Sequence, residues 1–302
     1  MRIAHINNIS GVASIIAEHQ RKLGHEAGVF VFNSSIYKQF GGTKYYYRSP
    51  ISRWKFFRKL RYYDVWHYHY PYGSLKSNLE KRNKNKIYLK HYHGDDLRGK
   101  HENDFCLVST PDLLQYAPNS KWLPIAIDVD KIELISKKNQ QKNSSGIIRV
   151  AHYPHYEMYD LGNGDYYTDT LTQLQKENRC EIVRILHFSH VQTLETIATC
   201  DIVIGKILPN IGWFGKFELE GMALGKAVIA YVSDELYEKY KPPIYRTTKD
   251  TFKYDLENLI GNNIERDRLA KEGHDYIKRY HAVESIAKIV QEYYQKIIDR
   301  QT

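Results

Sequence analysis

The chain has 302 residues, 42% hydrophobic and 26% charged, with a formal net charge of +9. That length suits two domains of ordinary size, each burying a core, and the composition excludes a disordered or fibrous protein. The basic balance favours anionic partners (nucleotide diphosphates, anionic lipid or nucleic acid) without choosing among them.

Arg2 to Ile6 reads as a strand, and Asn7-Asn8-Ile9-Ser10-Gly11 as a loop. Val12, Ile15, Ile16, His19 and Leu23 recur at helical spacing, and Gly28 to Phe32 reads as the next strand. This βαβ opening predicts a parallel, Rossmann-like sheet. Ligands bind at the C-terminal edge of such sheets, so Ser10 and Gly11 are candidates there, although the dinucleotide fingerprint G-x-G-x-x-G is missing. The N-terminus lacks the apolar core of a signal peptide, and no window approaches 18 apolar residues, so a cytoplasmic chain is expected.

The stretch 51–63, ISRWKFFRKLRYY, holds Arg53, Lys55, Arg58, Lys59 and Arg61 and no acid. Ile51, Trp54, Phe57 and Leu60 fall three apart. A helix with one apolar face flanked by cations is expected, suited either to a sheet or to an anionic membrane surface. Strands follow at 64–69 and 87–92. His67, His69, His91 and His93 alternate along them, a pattern compatible with a metal, but the spacing matches no established zinc signature and no metal site is expected. Asp128-Val-Asp130 is read as incidental. Cys106, Cys180 and Cys200 fit neither a zinc site nor a disulfide framework, and buried thiols are expected. A strand at 105–109 leads into a helix opened by Ser109, Thr110 and Pro111.

Lys137 to Gly146, KKNQQKNSSG, is the expected linker, separating domains 1–136 and 147–282. Alternating strands and helices then continue the parallel-sheet pattern, with a helical break expected at Gly273. An amphipathic helix fills 283–302. Within the second domain, 204–231 reads as strand, loop, helix, strand, and Gly225 sits where a helix C-terminus takes a left-handed residue. The loop opens onto a helix N-terminus, which attracts phosphate. Glu220, five residues into that helix, can accept hydrogen bonds from sugar hydroxyls.

GWFGKFELEGMALGKAV (212–228) resembles the donor-binding segment of retaining, two-domain nucleotide-sugar glycosyltransferases of the family-4 type. Glu220 matches the second of that segment's two glutamates, and Gly212 stands where the first would be. Gly212-Trp213-Phe214-Gly215 looks like a Gly-Trp-Tyr-Gly variant of the motif. His93-Gly94-Asp95-Asp96-Leu97-Arg98 resembles a His-Gly-x-Asp-Leu-Arg string of the same enzymes, and 109–132 resembles the segment closing their first domain. The Arg and Lys that hold donor phosphates in the family have no counterpart at 152–165, where Asn163 sits about where the Lys would. Lys206 and Lys216 are expected to replace them.

The resemblance implies an α/β chain of two Rossmann-like domains facing a cleft, the GT-B arrangement. It implies transfer of a sugar from a nucleotide sugar to a glycan or lipid-linked acceptor, with retention and with no cofactor or metal. It also implies that the terminal helix crosses back onto the first domain. His93 and Glu220 are the expected catalytic-site residues, on the transferred sugar or its phosphate and on the ribose. Gly11, Arg98, Lys206, Gly212, Trp213, Phe214, Gly215 and Lys216 are the expected donor contacts. The alternatives are a sugar-nucleotide epimerase of the same architecture, or a non-catalytic nucleotide-sugar or nucleic-acid binder; nucleic acid is not the expected partner.

Overall fold

The computed structural model describes residues 1–32, 40–46, 48–70, 83, 85–139, 146–154 and 167–299. The chain divides into two compact units, one of Met1–Ala126 with His281–Thr302 and one of Ile127–Tyr280.

In the first unit β1 (Arg2–Ile6), β2 (Glu26–Phe32), β3 (Thr43–Tyr45), β4 (Val65–His69), β5 (Ile87–Tyr92), β6 (Leu107–Val108) and β7 (Lys121–Trp122) form a seven-stranded sheet. Its order is β3-β2-β1-β4-β5-β6-β7, and every pairing is parallel. Strand order reverses between β1 and β4. Helix α1 (Val12–Lys22) follows β1, and α2 (Pro50–Leu60) follows β3.

Side chains alternate across β1 and β4, which gives the sheet two unlike faces. Ala4, Ile6, Trp66 and Tyr68 form an apolar cluster with Phe30, Phe56, Leu60 and Tyr63. His5, His67 and His69 take the other set of positions and lie under α1 and the terminal helix, Val283–Asp299. That helix buries Tyr294 completely and pairs Glu284 with His19 at 3.0 Å.

In the second unit β8 (Arg149–His152), β9 (Glu181–Arg184), β10 (Ile202–Ile204), β11 (Ala227–Ala230) and β12 (Tyr245–Arg246) pair in the order β12-β11-β10-β8-β9, again all parallel. Here the order reverses between β8 and β10. The helices are α3 (Val129–Asn139), α4 (Tyr167–Lys176), α5 (His190–Ala198), α6 (Lys216–Ala223), α7 (Asp234–Tyr240), α8 (Phe252–Gly261) and α9 (Asn263–Tyr280). Val150, Ile202, Ile204 and Ile229 pack with Leu171, Leu174, Phe252 and Leu256 into the core. No helix of the described residues is long and apolar enough to cross a membrane.

Several expectations change. The units meet in sequence at Ala126 and Ile127, and Lys137 and Lys138 belong to the last turn of α3 rather than to a linker; 140–145 lie outside the described residues. The helix expected after Ser109 is a 3-10 helix, Pro111–Tyr116. Helix α9 runs unbroken through Gly273, where an added Cβ would lie 3.2 Å from the Met222 side chain, so this glycine permits close packing of two helices. The three cysteines are free and buried, and burial pushes the thiols of Cys180 and Cys200 up to about 11.

Helix α2 begins where expected, with Ser49 Oγ accepting from the Ser52 N–H and Pro50 in the first turn. Its buried stripe differs. Phe56 and Leu60 are fully buried, while Ile51 and Trp54 are 67% and 57% exposed. A stripe with residues three apart drifts by about 60° per step on an α-helix. After three steps it has turned to the opposite side, so Ile51 and Leu60 cannot share a face. Phe56→Ala should therefore cost about 3–5 kcal/mol, and Trp54→Ala less than about 1 kcal/mol, in urea unfolding; equal losses would contradict this packing.

Candidate functional site

The second unit gathers one set of predicted residues at the C-terminal ends of β8 and β10. This is its topological switch point, where open parallel sheets bind ligands. A small recess lies there, lined by His152, Tyr153 and Tyr167 and by Gly205 to Leu208. Lys206 borders it, and its ammonium extends over Gly215, 3.0 Å from where a Cβ would sit.

A residue absent from the sequence reading shapes this loop. Glu218 is fully buried at the third position of α6. Its Oε1 accepts from the Lys206 N–H at 2.7 Å and its Oε2 from the Gly215 N–H at 2.9 Å. One carboxylate thus ties both ends of the Lys206-to-Gly215 loop to the start of α6. Gly205 makes room for it, since a Cβ there would stand 2.4 Å from Glu218 Cγ. The signal was present in the sequence: an acid three residues after a helix-opening glycine is the spacing of a capping contact.

Glu220 is 4% exposed and two residues further along. Its Oε1 meets His190 Nε2 at 2.6 Å and Lys216 Nζ at 3.2 Å. Burial alone would raise its pKa, but Lys216 and His190 outweigh it and hold the carboxyl below its ordinary value. His190 comes from α5, about 30 positions earlier, and nothing local in the sequence marks it; Ser189, capping α5 with Gln192, fixes where that helix begins.

The rest of the loop departs from expectation. Trp213 and Phe214 are 4% and 2% exposed, stacked on each other with centroids 4.4 Å apart, and Tyr240 meets Trp213 edge-on. The rings pack in the core and do not present a surface to a ligand. Gly212 has φ +72°, its carbonyl accepts from the Ser233 N–H, and a side chain would press on Ser233. A glutamate could not occupy this position without strain. The N–H groups of Gly212 and Gly215 are both taken internally, by Leu208 O and by Glu218. Gly225 closes α6 at φ +66°.

The remaining predicted residues lie in the first unit. Gly11 takes φ +77° at the N-cap of α1, but Asn8 already serves that end: its Oδ1 accepts from the Ser14 N–H, and its Nδ2 donates to Ser14 Oγ and Phe40 O. Arg98 donates to Asp112 at 2.8 Å and to Asp95 at 3.2 Å, so its charge is committed to two carboxylates rather than offered to a phosphate. Gly94 is required for this, because a Cβ would fall 2.9 Å from Arg98 Nη1. Asp96 accepts from the N–H groups of both His93 and Gly94. The string 93–98 is thus a self-tied turn.

His93 joins an array of imidazoles. Its Nδ1 meets Ser109 Oγ at 2.7 Å, and its Nε2 meets His69 Nδ1 at 3.0 Å. His69 Nε2 meets His5 Nδ1 at 3.0 Å, and His5 Nε2 meets Gln20 Oε1 at 2.8 Å. Burial holds His93 at about 3 and His5 at about 4, and keeps His67, His69 and His91 well below the usual imidazole range. The array is neutral at pH 7, and both ring nitrogens of His93 are engaged.

A carboxyl whose folded pKa is depressed contributes stability above its unfolded pKa and loses it as pH falls through the folded value. Glu220 should therefore add a loss of stability below its ordinary 4.5. Denaturant titrations at pH 7 and in steps below 4.5 should show Glu220→Gln less stable at pH 7 and less sensitive to acid than the wild type. An unchanged acid slope would mean that Lys216 and His190 do not hold this carboxylate.

No protein-family model matches the sequence, and no curated protein matches it significantly. Solved structures do match. A glycosyltransferase from Rickettsia africae ESF-5 is 13% identical with TM-score 0.60, over 98% of each chain. Sucrose-phosphate synthase from Thermosynechococcus elongatus is 14% identical with TM-score 0.64, over 99% of this chain and 100% of that one. A protein described as a UDP-N-acetylglucosamine 2-epimerase from Listeria monocytogenes is 10% identical with TM-score 0.60, over 99% and 97%. At these identities the likeness shows the fold, two parallel-sheet α/β units of the GT-B class.

Proposed function

We propose that the chain transfers a sugar from a nucleoside diphosphate sugar to an acceptor hydroxyl, with the donor held by the second unit. The observation that carries this reading is the recess at the β8–β10 switch point, bordered by Lys206. On α6 of the same unit stands a buried, ionised Glu220 whose described contacts both use Oε1. Glu220 Oε2 then accepts from the ribose hydroxyls, while Lys206 and Lys216 stand near the diphosphate. Charge grows on the departing diphosphate during transfer, and fixed cations there stabilise it. Retention of anomeric configuration and independence from a divalent metal are carried over from the family-4 resemblance. His93 reaches a donor sugar only by exchanging its contact to Ser109 or His69.

Thermal unfolding against a panel of nucleotide diphosphates and their sugars tests the donor site. A ligand at a hundred times its dissociation constant stabilises by about 2.7 kcal/mol, a shift of roughly 2–8 °C. One donor should shift wild type and not Glu220→Gln. Replacing both Lys206 and Lys216 with Ala should weaken nucleotide-diphosphate binding at least about tenfold, or 1.4 kcal/mol, and leave nucleoside binding nearly unchanged. Equal losses would remove the lysines from the phosphate site. The Listeria structure gives epimerisation the same support from fold, and product formed from donor alone, without acceptor, would favour it.

We further propose that the acceptor is lipid-linked and is met at an anionic membrane surface. Ile51 and Trp54 stand exposed on α2 among Arg53, Lys55, Arg58 and Lys59, and Arg58 lies over the Trp54 ring at 5.0 Å. Exposed aromatics among cations suit a headgroup layer. Sedimentation with anionic vesicles should capture the wild type, and Trp54→Ala combined with Arg58→Glu should abolish capture; wild type left in the supernatant would remove the membrane from the proposal.

A further inference from the structure

We propose that His5, His67 and His69 form a three-histidine site for a divalent transition-metal ion, with Zn²⁺ the ion their ligand set fits best. The site lies in the first unit and joins β1 to β4 at that sheet's reversal point.

One ring nitrogen from each of the three lies within 4.8 Å of the others, and all three side chains are fully buried. His5 and His67 are register partners on neighbouring strands, and His69 is on the same face two residues on. His5 Nδ1 and His69 Nε2 are already 3.0 Å apart. Two imidazole ligands of a tetrahedral Zn²⁺ stand about 3.3 Å apart, since each Zn–N bond is about 2.0–2.1 Å, so this pair needs a shift of a few tenths of an ångström, while His67, stacked on His69 with centroids 4.3 Å apart, must rotate about its side-chain bonds to turn a nitrogen to the same point.

The third nitrogen supplies an independent observation. His67 Nε2 is buried and has no hydrogen-bond partner among the described residues. A buried polar atom left this way keeps the cost of its lost hydration, and a metal ion would occupy its lone pair.

The outer nitrogens complete the arrangement. A ligating histidine normally donates its other N–H to a fixed acceptor, which sets tautomer and ring orientation. Here His5 Nε2 faces Gln20 Oε1, His67 Nδ1 faces Tyr294 Oη at 2.7 Å, and His69 Nδ1 faces His93 Nε2. Each ligand has its own acceptor. A neighbouring trio, His69, His91 and His93, also lies within ligand distance. There His91 Nδ1 is likewise unpartnered, but the outer nitrogens of His91 and His93 both fall on one Ser109 Oγ instead of on separate acceptors. The first trio is therefore the better-built site. An all-imidazole set suits Zn²⁺, Cu²⁺ or Ni²⁺, and burial keeps the rings in the neutral form that metals need. Three protein ligands leave the fourth position to water or hydroxide.

The test uses tag-free full-length protein stripped with chelator and titrated with Co²⁺ and Zn²⁺. Wild type should bind one Co²⁺ per chain with the visible absorption of a tetrahedral site and should gain thermal stability with Zn²⁺. His67→Asn preserves an atom near Nδ1 for Tyr294 and removes Nε2, and it should abolish the absorption. His91→Gln and the exposed-residue control His101→Gln should retain it. No uptake by wild type, uptake that none of these substitutions changes, or uptake lost in His91→Gln and kept in His67→Asn would each overturn the assignment. Should His67→Asn fail to fold by circular dichroism, X-ray absorption on zinc-loaded wild type decides: three imidazole nitrogens at about 2.0–2.1 Å are expected, and a shell of oxygen ligands refutes the site.

Discussion

A buried carboxylate governs the geometry of the second unit's site. Glu218 accepts one N–H from each end of the Lys206-to-Gly215 loop, and everything that loop presents follows from these two bonds. Lys206 leaves the sheet in a fixed direction because its own N–H is held. The helix that carries Lys216 and Glu220 starts at Gly215 because that N–H is held too. Two backbone N–H groups bonded to one buried side chain hold that loop tightly, because removal of water strengthens each hydrogen bond. The glycines on either side follow from the same constraint, Gly205 by leaving volume for the carboxylate and Gly215 by leaving the Lys206 ammonium a path across the loop.

Architecture was legible in the sequence because it depends on local pattern. Short apolar runs between glycines and polar turns gave the central strands, and the 3.6-residue recurrence of Val12, Ile16 and His19 gave α1. Gly225 was readable as a helix end for a local steric reason. Short edge strands such as Thr43–Tyr45 and Tyr245–Arg246 carry too few residues to show any period. The boundary at Ala126 was missed because a polar run was taken to mean a linker, whereas Lys137 and Lys138 are simply the solvated end of a helix.

Site residues were legible by kind more than by task. Glu220 and Lys216 stand together one turn apart, as helical spacing allows. Arg98, though, is bound by Asp112, fourteen residues away, and no local reading shows that a cation has been neutralised from a distance. Trp213 and Phe214 were expected as donor contacts, yet both are buried and stacked on each other. His190 and Gln20 reach their partners only through tertiary structure. The alternating histidines were visible as a pattern; which nitrogens face one another depends on strand register, and sequence does not fix that.

The terminal helix has a consequence for how the molecule is made. The first unit is not a continuous length of chain: Tyr294, which closes over His67 of its sheet, and Glu284, which pairs with His19 of α1, follow the entire second unit in sequence. During synthesis from the N-terminus the seven-stranded sheet therefore emerges with that face covered by α1 alone, while the second unit, lying wholly within one stretch, has all its residues available earlier. The first unit is therefore completed only after the second has been made, and His67 stays open to solvent and to ions until Tyr294 arrives.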